Sequence, residues 1–200
     1  MLLPKTSWIG CLKKHLSHNG LGDLWTSVSN FNVSSIDVSQ FSQRLENIYQ
    51  QDWHAGLHND VRRNHSQKNK LRLYRQFKQT FGFEKYLSMS LPVLDRIHLT
   101  KFRISNHKLL IEYGRYRGIP VNARLCNHCH KVEDEVHFLL ECKHHKTFRF
   151  DNVNPQLPKV VIILKLMSSS NGQVILSLSS FVSKAFKARD IDVKFLPRYF

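Results

Sequence analysis

The chain lacks a long apolar run. Its longest, Val160 to Leu164, is far too short to cross a bilayer. The first five residues, Met-Leu-Leu-Pro-Lys, lack a sustained apolar region and a small-residue cleavage site, so no signal peptide is expected. Cysteine is scarce: there are four in 200 residues, with Cys11 alone and the other three within seventeen positions. That distribution argues against a disulfide framework and for a reducing, intracellular compartment, nuclear or cytoplasmic. No internal repeat is found. Acidic residues are also few, fifteen Asp/Glu against thirty Lys/Arg, for a net charge of +15.

The positive charge is concentrated. Residues 1–60 hold four Lys/Arg and five Asp/Glu, residues 61–125 hold fifteen and three, and residues 126–200 hold eleven and seven. The middle third therefore carries an excess of twelve positive charges. A solvated helical face explains single charges of this kind. An excess of that size is self-repulsive unless a polyanion relieves it, and it reads as an electrostatic footprint for phosphate. The candidate nucleic-acid contacts are Lys70, Arg72, Arg75, Lys78, Lys101, Arg103, Arg115, Arg117 and Arg124.

The clustered cysteines follow the spacing C-x2-C-x7-H-x4-C, through Cys126, Cys129, His137 and Cys142. Zinc takes four thiolate or imidazole ligands in a tetrahedron, and two cysteines three positions apart can hold one ion from a single turn. A shell filled by four protein ligands leaves no place for an activated water, so the expected role is structural. A Cys126–Cys129 disulfide and buried free thiols are the competing readings. His128, His130, His144 and His145 lie close in sequence to the fourth place. His137 is preferred because it precedes Phe138-Leu139-Leu140 on a short helix begun by Glu133, Asp134 and Glu135, and acidic residues suit a helix start. Three thiolates, one imidazole and Zn²⁺ carry a net −1, which Arg124, Lys131, Lys143, Lys146 and Arg149 are placed in sequence to offset.

Around these residues the chain resembles a known family. The segments from Leu99 to His107, Ile111 to Arg115, Arg124 to Cys129 and Val132 to Cys142 are similar to the carboxy-terminal region of LINE-type (non-LTR) retrotransposon reverse transcriptases. Weaker similarity extends to Lys70–Phe77 and Phe181–Phe186. Those proteins carry a Cys-Cys-His-Cys zinc-binding domain downstream of the polymerase. The resemblance implies that Cys126, Cys129, His137 and Cys142 are the metal ligands. The polymerase is missing: no Tyr-x-Asp-Asp sequence is present, so no catalytic residue is assigned and the chain is not expected to be an enzyme.

Taken in order, Trp8, Leu12 and Leu16 predict a first helix ended by Asn19-Gly20. Residues 31–35 read as a connector, and residues 36–55 as a helix with Phe41, Leu45, Ile48 and Trp53 on one face. Trp8, Trp25 and Trp53 are expected to be core anchors. Residues 56–67 read as a loop. A helix over Lys70–Phe81 would bury Leu73, Phe77 and Phe81 and stop at Gly82. Another, begun by Ser90 and Pro92 and running to about Ser105, would bury Leu94 and Ile97 and leave Arg96, Lys101 and Arg103 outside. His98 and His107 read as ordinary hydrogen-bonding histidines. Leu109–Tyr113 and Val121–Leu125 are expected to pair as a short hairpin feeding the metal site.

Pro155 and Pro158 bound a linker. Periodicity does not separate helix from buried strand at Val160–Met167; β-branched content favours a strand and the family resemblance a helix. A last helix capped by Ser170 or Asn171 carries Val174, Leu178, Phe181 and Ala185 at helical spacing, with Lys184, Lys187 and Arg189 at its end and a ten-residue tail beyond.

The expected fold is mainly α: bundle-like helical segments with a small zinc-stabilised module of hairpin plus helix. The expected divisions are 1–60, a helical region; 61–125, a basic helical region; 126–150, the zinc module; and 151–200, a linker and terminal helices. The expected cofactor is one structural Zn²⁺. The expected partner is RNA or single-stranded DNA, bound with weak sequence preference, and no membrane. A structural or protein-interaction module is the alternative. A further alternative is a nuclease remnant, on Asp192-Val-Lys194 read as a strand.

Overall fold

A computed structural model describes residues 8–18, 20–26, 38–58, 71–148 and 156–195. Lys70, Arg149, Pro155, Asn19, the expected connector at 31–35 and all but the start of the expected 56–67 loop lie outside the described residues. Two compact units are present, Met1–Gly56 and Leu57–Phe200.

The first unit is built from α1 (Trp8–His18), α2 (Gly22–Thr26) and α3 (Val38–His58), the last of which runs three residues past its expected end. Gly20 separates α1 from α2 with φ +69, the left-handed conformation expected of it. Arg44 of α3 donates from Nη2 to the Gly20 carbonyl at 2.7 Å. The α1 stripe is helical but does not anchor a core: Trp8 is 74% exposed and Leu12 42%. Trp25 and Trp53 are half-buried.

The second unit contains α4 (Tyr74–Phe77), α5 (Lys85–Ser88), α6 (Val93–Arg103), α7 (Leu110–Tyr116), α8 (Lys159–Met167) and α9 (Gly172–Phe195). Its core is one cluster. Leu99 and Phe102 of α6 meet Leu178, Phe181, Val182 and Ala185 of α9, with Ile163 and Met167 of α8 and Phe138 and Leu139 of the metal loop. The expected segments 61–125, 126–150 and 151–200 thus all contribute to a single apolar interior. The α9 pattern holds as expected, and Asn171 Oδ1 caps it by accepting from the amides of Gln173 (2.9 Å) and Val174 (3.3 Å). Residues 160–167 are helical.

Several expectations are corrected. The described residues contain no strand: the expected pairing of Leu109–Tyr113 with Val121–Leu125 is not formed, and one isolated antiparallel bridge joins Leu125 to Val132 instead. Leu109–Tyr113 is not a strand: the chain from Leu110 is helical, started where the Glu133 carboxylate accepts the Leu110 amide at 2.7 Å. The 70–81 helix is reduced to α4. It ends at Lys78 rather than Gly82, because Lys78 turns its Nζ onto the Gly82 carbonyl (2.9 Å) and Glu84 (3.3 Å); Phe81 is left 40% exposed.

Helix α6 begins after Pro92, not Ser90, and turns a different face inward: Leu94 and Ile97 are exposed while Arg103 is buried. Arg103 is tolerated there because it donates to Glu84 at 2.7 Å and to the Met167 carbonyl, with its Cζ 4.5 Å from the Phe77 ring. Finally, α9 continues through Asp192-Val-Lys194, so the proposed nuclease strand is helix. No single helix among the described residues is long and apolar enough to cross a membrane.

Candidate metal centre

Two short turns bring four ligand types together. The first is a knuckle. The Cys126 amide donates to the Lys131 carbonyl at 2.7 Å, and the His130 amide returns to the Cys126 carbonyl at 2.8 Å. His130 takes φ +54 to close it. The second is a π-helical turn, His137–Glu141, in which the Cys142 amide donates to the His137 carbonyl at 2.7 Å. This widened turn sets residues five apart in the chain beside one another. The Asp134 carboxylate accepts the His137 amide at 2.7 Å and fixes where the turn starts.

The ligand atoms of Cys126, Cys129, His137 and Cys142 all lie within 4.8 Å of one another. Cys142 Sγ is 3.9 Å from both Cys126 Sγ and Cys129 Sγ. Sulfurs sharing a tetrahedral ion at a bond length of about 2.3 Å stand about 3.8 Å apart. All four cysteines are free, which removes the disulfide reading. His137 is only 3% exposed; its Nδ1 lies 3.7 Å from Glu141 Oε2, beyond hydrogen-bond distance, and its Nε2 makes no hydrogen bond. A buried imidazole nitrogen without a hydrogen bond is costly, and a metal ion at that nitrogen would remove the cost.

Burial pushes the Cys126 thiol up, and pushes Cys142 up to about 12. Without a cation these thiols hold their protons; a bound cation would displace them. The group therefore fits one metal ion. Among the nearby histidines only His137 joins it. His128 and His144 stack on each other with centroids 4.1 Å apart, His145 packs edge-on to Phe138, and His130 is exposed.

The acidic run does more than start a helix. Glu133 receives two hydrogen bonds from Arg189, Nε to Oε1 at 2.6 Å and Nη2 to Oε2 at 2.9 Å. Glu135, 2% exposed, pairs with Arg72 and lies 3.4 Å from His107 Nε2. Burial raises its pKa, but His107 and Arg72 more than compensate and hold it at about 2. The expected charge compensation is redistributed. Lys131 pairs with Glu141 at 3.7 Å, and Arg124 is spent on the carbonyls of Ile119 (2.8 Å) and Ile111 (2.6 Å). Arg189 instead places its guanidinium on Glu133, in the loop between the two ligand pairs. Sequence reasoning gave Glu133 and Glu135 only a helix start, His107 an ordinary hydrogen-bonding role and Arg189 a helix end, and none of them a place around the metal group. The sequence signal for the two carboxylates was three consecutive acids ahead of a ligand.

The candidate phosphate contacts separate into two groups. Arg72, Lys78, Arg103, Arg115 and Arg124 are engaged inside the fold, Arg115 with Glu112 at 2.7 Å. Arg75 is half-buried, and its Nε lies 3.4 Å from the Leu71 carbonyl. Lys101 and Arg117 are exposed, Arg117 over the Tyr113 ring at 4.6 Å. No protein family, curated protein or solved structure matches the chain.

Proposed function

We propose that this chain is a zinc-stabilised helical module that binds single-stranded nucleic acid, RNA or DNA, through lysines. One observation supports this reading above the rest. The carboxylates of Glu84, Glu112, Glu133, Glu135 and Glu141 are all taken up in ion pairs within the fold. Four of the five take an arginine: Arg103, Arg115, Arg189 and Arg72. Among the described residues of the second unit those pairs leave an exposed positive charge that is mainly lysine: Lys85, Lys101, Lys108, Lys143, Lys146, Lys165, Lys184 and Lys187. Ammonium groups act on phosphates as point charges, without the bidentate geometry that reads base edges, which suits binding with weak sequence preference.

The ion is proposed to be zinc, because three thiolates and an imidazole form a closed, soft set. Its role is to hold the knuckle and the π-turn together. The relationship to the tail of LINE-type retrotransposon proteins belongs to the same proposal and rests on the sequence resemblance. A protein-interaction module is the second reading; exposed Phe83 (74%), Val93 (71%) and Leu94 (54%) favour it. Fluorescence anisotropy of a labelled single-stranded 12-mer separates the two. The zinc-loaded chain should bind at low salt and the chelator-treated chain should bind less. Absence of binding by the zinc-loaded chain leaves the interaction module.

A further inference from the structure

Helix α7 turns one face inward and one outward. Ile111, Glu112 and Gly114 are buried. The inner face is held from the metal loop and its flank: the Ile111 amide donates to the Glu133 carbonyl at 3.0 Å, and the Arg124 guanidinium donates to the Ile111 carbonyl at 2.6 Å. On the outer face Tyr113 is 41% exposed and Tyr116 57%. Residues three positions apart are neighbours on a helix surface, with about 5–6 Å between their Cβ atoms. Gly118 then takes φ +67 and the Ile119 amide donates to the Gly114 carbonyl at 2.9 Å, which ends the helix just past Tyr116.

Each of the two rings carries a guanidinium. Arg117 Cζ stands 4.6 Å from the Tyr113 centroid, and Arg115 Cζ 5.0 Å from that of Tyr116. Arg115 is held there by Glu112 at 2.7 Å, while Arg117 is exposed. Residues 113–132 contain no Asp or Glu, and Arg115, Arg117, Arg124 and Lys131 fall among them. The outer face of α7 therefore offers aromatic surface in a setting that favours an anion.

Such a face matches a single strand of nucleic acid. Exposed rings accept bases by stacking, whatever the base. A guanidinium beside them takes a phosphate. An acidic side chain would satisfy the cation but brings no flat surface to the tyrosines, and the bases of a duplex are already stacked on one another.

We infer that the outer face of α7 is the base-stacking platform for the strand, with neighbouring bases on Tyr113 and Tyr116 and a phosphate beside them on Arg117. The inference rests on the nucleic-acid reading and adds to its lysine–phosphate contacts the place where bases are received. It also links the strand to the metal loop, because Glu133, between the two ligand pairs, holds α7 through the amides of Leu110 and Ile111.

The test uses the full zinc-loaded chain and a labelled single-stranded 12-mer carrying 5-iodouridine at several positions for photo-crosslinking. Crosslinks should map to Tyr113 or Tyr116. Tyr113→Ala/Tyr116→Ala should weaken binding by about 10-fold or more and leave the slope of log K against log salt unchanged, since stacking releases no counterions. Tyr113→Phe/Tyr116→Phe keeps both rings and should bind within about 2-fold of the parent. Arg117→Gln should flatten the slope by about 0.7, one phosphate contact's worth on a single strand. Phe83→Ala, which removes an exposed aromatic outside α7, should leave the affinity unchanged. Crosslinks confined to other residues, no loss in the double alanine variant, or an equal loss from Phe83→Ala would overturn the platform and leave nucleic-acid binding standing. Absence of binding by the parent chain at low salt would overturn both.

Discussion

Arg189 grips Glu133 with both arms of its guanidinium, at 2.6 and 2.9 Å, and so joins the terminal helix to the loop between the two ligand pairs. The two side chains are 11% and 9% exposed. Burial lowers the Arg189 pKa, and the Glu133 carboxylate more than reverses that. The same carboxylate accepts the Leu110 amide, so one acidic residue ties the metal loop to both α7 and α9.

Removing one partner of this pair leaves a buried charge unmatched. Arg189→Gln should destabilise the second unit by about 3 to 5 kcal/mol. Glu133→Gln/Arg189→Gln should recover part of that, since a neutral amide oxygen still serves Leu110. Urea midpoints of both variants check this. A midpoint for Arg189→Gln equal to that of the parent would show the pair to be incidental.

The metal ligands are tested by substitution. Cys129→Ser should lower bound zinc and loosen the knuckle, because structural-zinc binding energy is largely local folding energy. His144→Ala should keep the full metal content, since His144 stacks on His128 rather than joining the ligand group. Elemental analysis after dialysis reads both. Retained metal in the first variant, or lost metal in the second, would reassign the site.

Cations that look alike in the sequence should behave differently. Arg72 serves the buried Glu135, so Arg72→Gln should cost about 1 to 3 kcal/mol. Lys101 is exposed, and Lys101→Gln should stay within about 0.5 kcal/mol of the parent. Thermal or urea unfolding of the two variants side by side decides whether the arginines stabilise the fold while the lysines remain available.

Two helical glycines make a matched pair. A Cβ at Gly114 would stand 2.9 Å from Cγ and Cδ of Arg124, whose guanidinium is fixed on two carbonyls. Gly114→Ala should therefore destabilise by about 1 to 3 kcal/mol. Gly56 in α3 has open space around it, and Gly56→Ala should be neutral or stabilising by up to about 1 kcal/mol. Equal effects at the two sites would contradict the packing at Gly114.

The metal group was legible in the sequence because its four residues lie within one short stretch and their spacing is set by local turns. The long helix carrying Leu178, Phe181 and Ala185 was legible for a similar reason, a strong repeat at helical spacing. What could not be read there was which cations face water. Arg103 and Lys101 sit two positions apart, and only the placement of Glu84 and of the Met167 carbonyl draws the first inward. The hairpin failed because the short apolar run Leu109-Leu110-Ile111 suits a helix as well as a strand, and the helix is begun by a carboxylate twenty-three positions away. The role of Arg189 depends on a partner fifty-six positions earlier.

The central claim is that the exposed lysines bind the phosphates of a single strand. Anisotropy of a labelled single-stranded oligonucleotide with the zinc-loaded chain, taken across a salt series, tests it most directly. The slope of log K against log salt should be on the order of −3 to −5, which corresponds to about four to seven phosphate contacts. A slope near zero, or no binding at low salt, would contradict it.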